Sequence, residues 1–194
     1  MTALEWIQSI EGVAPPRDVY CQTRDVAQAR IEKLRSILEK NNWTENDAAL
    51  YTATLAELAA NCFDHNLGSW KDIPGCWLET TIEKNTLRAI VADRGQGILH
   101  SLKQVRPGLR NHEEALMLAF TEQLSGRAPE NRGNGLKFVL RSLQILPSQS
   151  LLFVSGDAKL MLTLPFDNTN LQRYITTESD VINGTYAEII INKI

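Results

Sequence analysis

Apolar residues first fall at helical spacing after residue 25. Val26, Ala29, Ile31, Leu34, Ile37 and Leu38 form one stripe, the pattern of a helix that buries one side. Thr44, with Asp47 three residues on, is a good N-cap. It predicts a second helix from about Glu45 to His65, stopping at Asn66-Leu67-Gly68. Two strand-like runs follow, Cys76 to Ile82 and Leu87 to Ala92, joined by Lys84-Asn85-Thr86 as the turn of a hairpin. A long polar segment, Leu99 to Arg132, holds one predicted helix, His112 to Gln123, with Ala115, Leu116, Leu118 and Ala119 as its apolar positions. A further helix is expected from Asn134 to about Ile145, ending before Pro147. A second hairpin is expected from Leu151–Val154 and Lys159–Leu164, turning at Ser155-Gly156-Asp157, and a last strand from Tyr186 to Ile191.

Near the start, Pro15-Pro16 interrupts any regular pattern, and a strand is expected around Asp18 to Thr23. Residues 1–24 therefore read as an N-terminal extension or first strand, and residues 25–194 as the main domain. There is no internal repeat and no low-complexity run. Helices and antiparallel strands mix without a βαβ rhythm. This predicts an α+β fold: a two-layer sandwich whose mixed, mostly antiparallel sheet is covered on one face by helices.

Composition narrows the partners. At 194 residues, 43% hydrophobic and 22% charged, the chain suits one globular domain with a real core. Twenty basic against twenty-three acidic residues leave a net charge of -3, so bulk charge attracts neither nucleic acid nor an anionic membrane. Cys21, Cys62 and Cys76 are odd in number and lack CxxC spacing, which fits free thiols in a reducing compartment. MTALEWIQSIEGV lacks the form of a secretory signal, and no run approaches membrane-spanning length. A cytoplasmic location is the expectation.

Three patterns can carry chemistry. Glu57, Asn61 and His65 are spaced four apart and drift only about 80° around a helix, so they share a face. The opposite side, Leu55, Leu58, Ala59, Cys62 and Phe63, should meet the core. An ordinary solvated face explains that spacing; so does a site, since a carboxylate can orient or deprotonate water and an amide oxygen can complete a magnesium octahedron. In the second pattern, residues 89–98, an apolar strand ends at Asp93 and is followed by Gly95 and Gly97. This is either a plain turn or a close approach to a ligand whose amino group the carboxylate accepts. His100 stands where a dinucleotide-binding GxGxxG would need glycine. The third, Asn131-Arg132-Gly133-Asn134-Gly135-Leu136, opens a helix, where free amides favour phosphate. No P-loop is present, and Lys137 reads as a solvated lysine. His65, His100 and His112 lack a compact ligand set, and Trp6, Trp43, Trp70 and Trp77 are scattered, as packing residues are.

In order and spacing these elements resemble the GHKL superfamily of ATP-binding domains, which includes gyrase, sensor histidine kinases and MutL. The helical box ExxxN, with a histidine four further on, resembles Glu57-Leu-Ala-Ala-Asn61-Cys-Phe-Asp-His65. The box DxGxG resembles Asp93-Arg-Gly95-Gln-Gly97. A second glycine box opening a helix resembles Gly133-Asn134-Gly135-Leu136, and a late Gly-Thr opening the final strand resembles Gly184-Thr185. The four span residues 57 to 185. The second glycine box departs from longer versions, with Arg132 and Asn134 where these have more glycine.

The resemblance implies a Bergerat-type fold that binds ATP and Mg2+. It implies that Glu57 positions or activates the attacking group and that Asn61 is the magnesium ligand. Asp93 would read adenine, with Thr185 supporting it through water. Gly95, Gly97 and Ile98 would shape the pocket wall, and Gly133, Asn134, Gly135 and Leu136 would face phosphate. Residues 99–132 would form an ATP lid. The chain resembles standalone bacterial proteins of this superfamily, including anti-sigma-factor serine kinases. That implies a regulatory protein acting on a small protein partner, as a kinase or an ATP-driven switch, with a homodimer as one form. A simple ATPase and a non-enzymatic nucleotide-gated interaction module are the alternatives. Nucleic acid and membrane are not expected partners.

Overall fold

A computed structural model describes residues 1–66, 68–122, 134–145 and 149–193. A five-stranded sheet with the order β1-β2-β3-β5-β4 organises the molecule, and every neighbouring pair is antiparallel. The strands are β1 (Tyr20–Cys21), β2 (Cys76–Glu83), β3 (Thr86–Asp93), β4 (Gln149–Thr163) and β5 (Ile175–Asn192). The helices are α1 (Ala3–Gln8), α2 (Arg24–Lys40), α3 (Glu45–Asp64), α4 (Gly97–Lys103), α5 (His112–Thr121) and α6 (Gly135–Ile145). The expected α+β two-layer sandwich is the observed one.

Side-chain alternation along the strands builds the two faces. On β3, Leu87, Ala89 and Val91 join Leu151, Phe153, Ala187 and Ile189 beneath the helices. From above, α3 contributes Leu55, Leu58, Ala59 and Cys62, and α2 contributes Ala27, Ile31, Leu34 and Leu38. Of the stripe read from the sequence of α2, Val26 and Ile37 are 39% and 38% exposed. The buried row runs through Ala27 instead, because α2 meets α3 on a face turned slightly from the sequence stripe. Thr44 caps α3 as expected, its hydroxyl accepting from the Asp47 N–H at 3.1 Å.

The N-terminal segment adds a helix on the opposite face of the sheet. Ala3, Trp6 and Ile7 of α1 pack there on Trp77, Ile90, Ala92, Val154, Ile182 and Tyr186. Thr2 and Glu5 form a capping box on α1. The segment is held down by Arg94, which is fully buried. Its Nε and Nη2 donate to Asp72 at 2.8 and 2.6 Å, and its Nη1 donates to the carbonyls of Trp6 and Ser9. In turn the guanidinium holds the Asp72 carboxyl below the usual carboxylate range.

The readings of the second hairpin and of the last strand need correction. The hairpin expected to turn at Ser155-Gly156-Asp157 is one continuous strand, β4, with register shifts at Ser155–Ala158. Gly156 takes a positive φ of 64° there, which a bulge accommodates without reversing the chain. Correspondingly, the last strand starts at Ile175 rather than Tyr186, because β5 follows β4 on both sides of the bulge. Gly184-Thr185 lies within β5 and does not begin it. The segment expected to form a lid, residues 99–132, is folded as far as it is described. It holds the end of α4 and all of α5, packed through Leu102, Leu109, Ala115 and Leu118. Residues 123–132, and Gly133 of the second glycine box, lie outside the described residues. Among the described residues no helix is long and apolar enough to cross a membrane.

The Arg94–Asp72 pair yields a stability prediction. Asp72→Ala leaves a fully buried guanidinium without its counter-ion; because Asp72 itself keeps 23% of its side chain exposed, the loss should fall below the about 3–5 kcal/mol of a pair buried on both sides. Urea unfolding should register that loss. A change below about 1 kcal/mol would mean that the Trp6 and Ser9 carbonyls suffice to hold the charge.

Candidate functional site

A cleft opens between α3, the end of β3, the start of α4 and the bulged part of β5. Its lining includes Asn61, His65, Asp93, Gly97, Ile98, Leu136 and Thr185. Residues from four separate stretches of sequence thus converge on one cavity.

Asp93 closes its inner end. The side chain is 1% exposed, and its oxygens are surrounded by donors. Oδ1 accepts from Asn66 Nδ2 and from the Gly95 N–H, each at 2.8 Å. The Thr185 hydroxyl donates to Oδ2. Burial pushes the Asp93 pKa up, and the hydrogen bonds from Thr185, Gly95, Cys62 and Asn66 offset part of that rise. Each carboxylate oxygen has more than one lone pair, so Oδ2, which accepts from Thr185, can also accept from an amino group in the cleft.

Asn66 is the residue that sequence reasoning passed over. It stood in the stop signal of the second helix. In the fold it is 3% exposed, and its amide knits the site together. Nδ2 donates to the Cys62 carbonyl and to Asp93, while Oδ1 accepts from the Gln96 N–H at 3.0 Å. A Cβ on Gly95 would fall 1.9 Å from this amide, so the glycine is fixed by the asparagine that packs on it. The only signal in the sequence was a polar residue four positions after Cys62, on the buried side of α3.

Backbone shape also depends on Gly184. It takes a φ of 77° in β5, and a Cβ there would lie 2.0 Å from the Asp93 carbonyl oxygen. Only glycine allows β5 to come this close to the end of β3. Beside it, the Ser155 hydroxyl donates to the Gly184 carbonyl at 3.2 Å and accepts from the Ile98 N–H at 2.9 Å. The residue read as a hairpin turn therefore ties β4, β5 and α4 at the cleft floor.

At the outer end, α6 meets α3. A Cβ on Gly135 would sit 2.7 Å from Glu57 Oε2 and 3.4 Å from Asn61 Oδ1. Glu57, Asn61 and the first residue of α6 therefore share one spot. Asn134 is exposed just before this helix, and its carbonyl accepts from the Phe138 N–H at 2.8 Å. His65 also lines the cleft, its Nδ1 3.0 Å from Ser101 Oγ. Among the described residues no cluster of three or more His, Cys, Asp or Glu exists that could hold a metal alone. The Glu57 carboxylate and the Asn61 amide oxygen are hard donors that fit Mg2+ only as part of a shell completed by phosphate and water.

No protein-family model and no curated protein matches the chain. Among solved structures, it aligns with the histidine kinase domain of the blue-light activated histidine kinase from Erythrobacter litoralis EL346. The identity is 14% and the TM-score 0.41, over 92% of this chain and 66% of that one. It also aligns with the B-subunit of the DNA gyrase from Myxococcus xanthus, at 10% identity and a TM-score of 0.36, over 76% of this chain and 38% of that one. The chain spans less than two thirds of either structure. Neither likeness is close enough to carry a functional reading, which rests on the residues of the cleft.

The raised pKa of Asp93 fixes the sign of a pH effect. The folded state holds the Asp93 proton more tightly than the unfolded chain, which releases it near pH 4. This group's contribution to stability is therefore full below about pH 4 and is lost as pH rises through the folded pKa. Asp93→Asn keeps the same shape: its oxygen can accept from Asn66 and Gly95, and its NH2 can donate to Thr185. The variant's stability relative to the parent should rise from about pH 4 toward neutrality, as measured by urea unfolding at several pH values. A relative fall over that range would show that the donors outweigh burial.

Proposed function

We propose that this cleft binds an adenine nucleotide together with Mg2+, and that the protein is a GHKL-type regulator acting on a protein partner. Its output is phosphate transfer or an ATP-driven switch. The observation that carries this reading is the buried Asp93 carboxylate, fixed by Asn66, Gly95 and Thr185 at one end of a cleft. Asn61 and Leu136 also line this cleft, and Glu57 and Gly135 lie beside them, outside its lining.

Each residue then has a task. Asp93 Oδ2 accepts from the exocyclic amino group of adenine, while Thr185 holds that oxygen in place. Val91, Phe153, Leu58 and Ile98 offer apolar walls to the base. The first turn of α6, at Gly135 and Leu136, directs free amides at phosphate oxygens. Asn61 contributes one oxygen to the magnesium shell, and Mg2+ when bound neutralises charge on the phosphates. Glu57 lies within reach of the same spot and orients or deprotonates the attacking hydroxyl or water.

Two variants test the reading. Asp93→Asn places an NH2 where the base amino group needs an acceptor, so it should remain folded yet bind ATP more weakly. The loss should be about 1.5–3 kcal/mol, tenfold or more in affinity. Calorimetry showing unchanged ATP affinity in the folded variant would remove the base assignment. Glu57→Ala should retain ATP binding and lose turnover by about 10²–10⁴-fold. Turnover of labelled ATP at the parental rate would take Glu57 out of the chemistry.

A further inference from the structure

The outer edge of the sheet is open beyond β1. That strand has only two residues, which pair with Trp77 and Cys76 of the eight-residue β2. The Val19 carbonyl extends the pairing by one rung, accepting from the Leu78 N–H at 2.8 Å. Along β2 the backbone groups point alternately to either side. Leu78 points outward to β1, so Thr80 and Ile82 also point outward. Among the described residues nothing pairs with their N–H and C=O groups, whereas β3 takes the inner side of the whole strand.

A cleft lies between this edge and α2. Its helix wall is Ile31, Leu34 and Ile37, and Ile37 is 38% exposed. Lys33 stands on the same wall. Arg30 does too, but its guanidinium is held by the carbonyls of Asp18 and Arg17 at 2.5 and 2.6 Å. On the other face of the strand, the side chains of Glu79, Thr81 and Glu83 follow Trp77 by alternation.

Charge on that face selects the occupant. A second copy of this chain could satisfy both open residues by pairing Thr80 with Ile82 of the copy. That register sets Glu79 directly opposite Glu83, and like charges directly opposite destabilise a strand pair. That register is therefore disfavoured between two copies, whereas a basic strand would meet Glu83 and Glu79, the latter also accepting from the Trp77 indole N–H at 2.9 Å.

We propose that β2 receives an extended segment of a partner protein, added antiparallel as a further strand. Its basic residues face Glu79 and Glu83, and its aliphatic residues face the α2 wall. Backbone bonds to Thr80 and Ile82 supply affinity, and the alternating side chains supply selectivity. The proposal does not depend on the nucleotide reading.

The test uses the whole chain and labelled synthetic peptides, read by fluorescence anisotropy. One peptide alternates valine with lysine, a second alternates valine with glutamate, and a third scrambles the first. The lysine–valine peptide should bind at least about tenfold more tightly than either control and should slow hydrogen exchange at the Thr80 and Ile82 amides. Ile82→Pro removes one outward donor at an edge position, where proline is tolerated, and should weaken binding about tenfold. The exposed change Glu83→Lys should weaken the lysine peptide and improve the glutamate one without disturbing the edge. Equal binding of the scrambled peptide, protection elsewhere, or no binding by any peptide would overturn the proposal. So would a concentration-dependent dimer, seen by sedimentation, that Ile82→Pro abolishes.

Discussion

Two adjacent charged residues at the end of the central strand are buried on opposite faces of the sheet, and much of the molecule is arranged around that fact. Asp93 points into the helical layer, 1% exposed; Arg94 points into the N-terminal segment, fully buried. Neither charge can stay in a dry interior without partners. Asn66, Gly95 and Thr185 surround the carboxylate, which brings the end of α3 and the middle of β5 to the same point. Asp72 and the carbonyls of Trp6 and Ser9 surround the guanidinium, which fixes α1 on the far face. One dipeptide thus joins three distant parts of the chain.

The two charges differ in how completely they are compensated, and the proposed function rests on that difference. Arg94 has a carboxylate partner with both oxygens engaged, so its surroundings are closed and structural. Asp93 has only neutral donors, and burial still raises its pKa. It borders a cleft and retains acceptor capacity, which a ligand's amino group can use. An incompletely compensated acceptor beside a cavity is a candidate binding group. The glycines around it serve the same end, since a side chain at Gly184 would push β5 away from β3.

The edge of the sheet is governed by a different constraint. A strand edge with unpaired backbone groups invites association, and charged residues commonly restrain it. Here β1 covers the first rungs, and Glu79 and Glu83 guard the rest against a second copy. The same charges leave it compatible with a basic strand.

The sequence by itself determined what is local. Thr44 and Asp47 marked the start of α3 because an N-cap bond spans only three residues. Lys84-Asn85 marked the β2–β3 turn because tight turns have their own chemistry. Glu57 and Asn61 were legible because helical spacing alone puts them on one face, and Asp93 because it stood where an apolar strand gave way to glycines. Tertiary structure decided everything that needed a partner far along the chain. Ser155-Gly156-Asp157 has the composition of a turn, and only pairing with β5 on both sides makes it a bulge. Asn66 looked like the end of a helix until Asp93, twenty-seven residues on, accepted its hydrogen bond. Arg94 carried no signal of its own beside Gly95; only the N-terminal segment folding across the sheet removed it from water. Short-range rules fix caps, turns and periodicity, whereas burial of a polar group depends on which distant surface arrives to cover it.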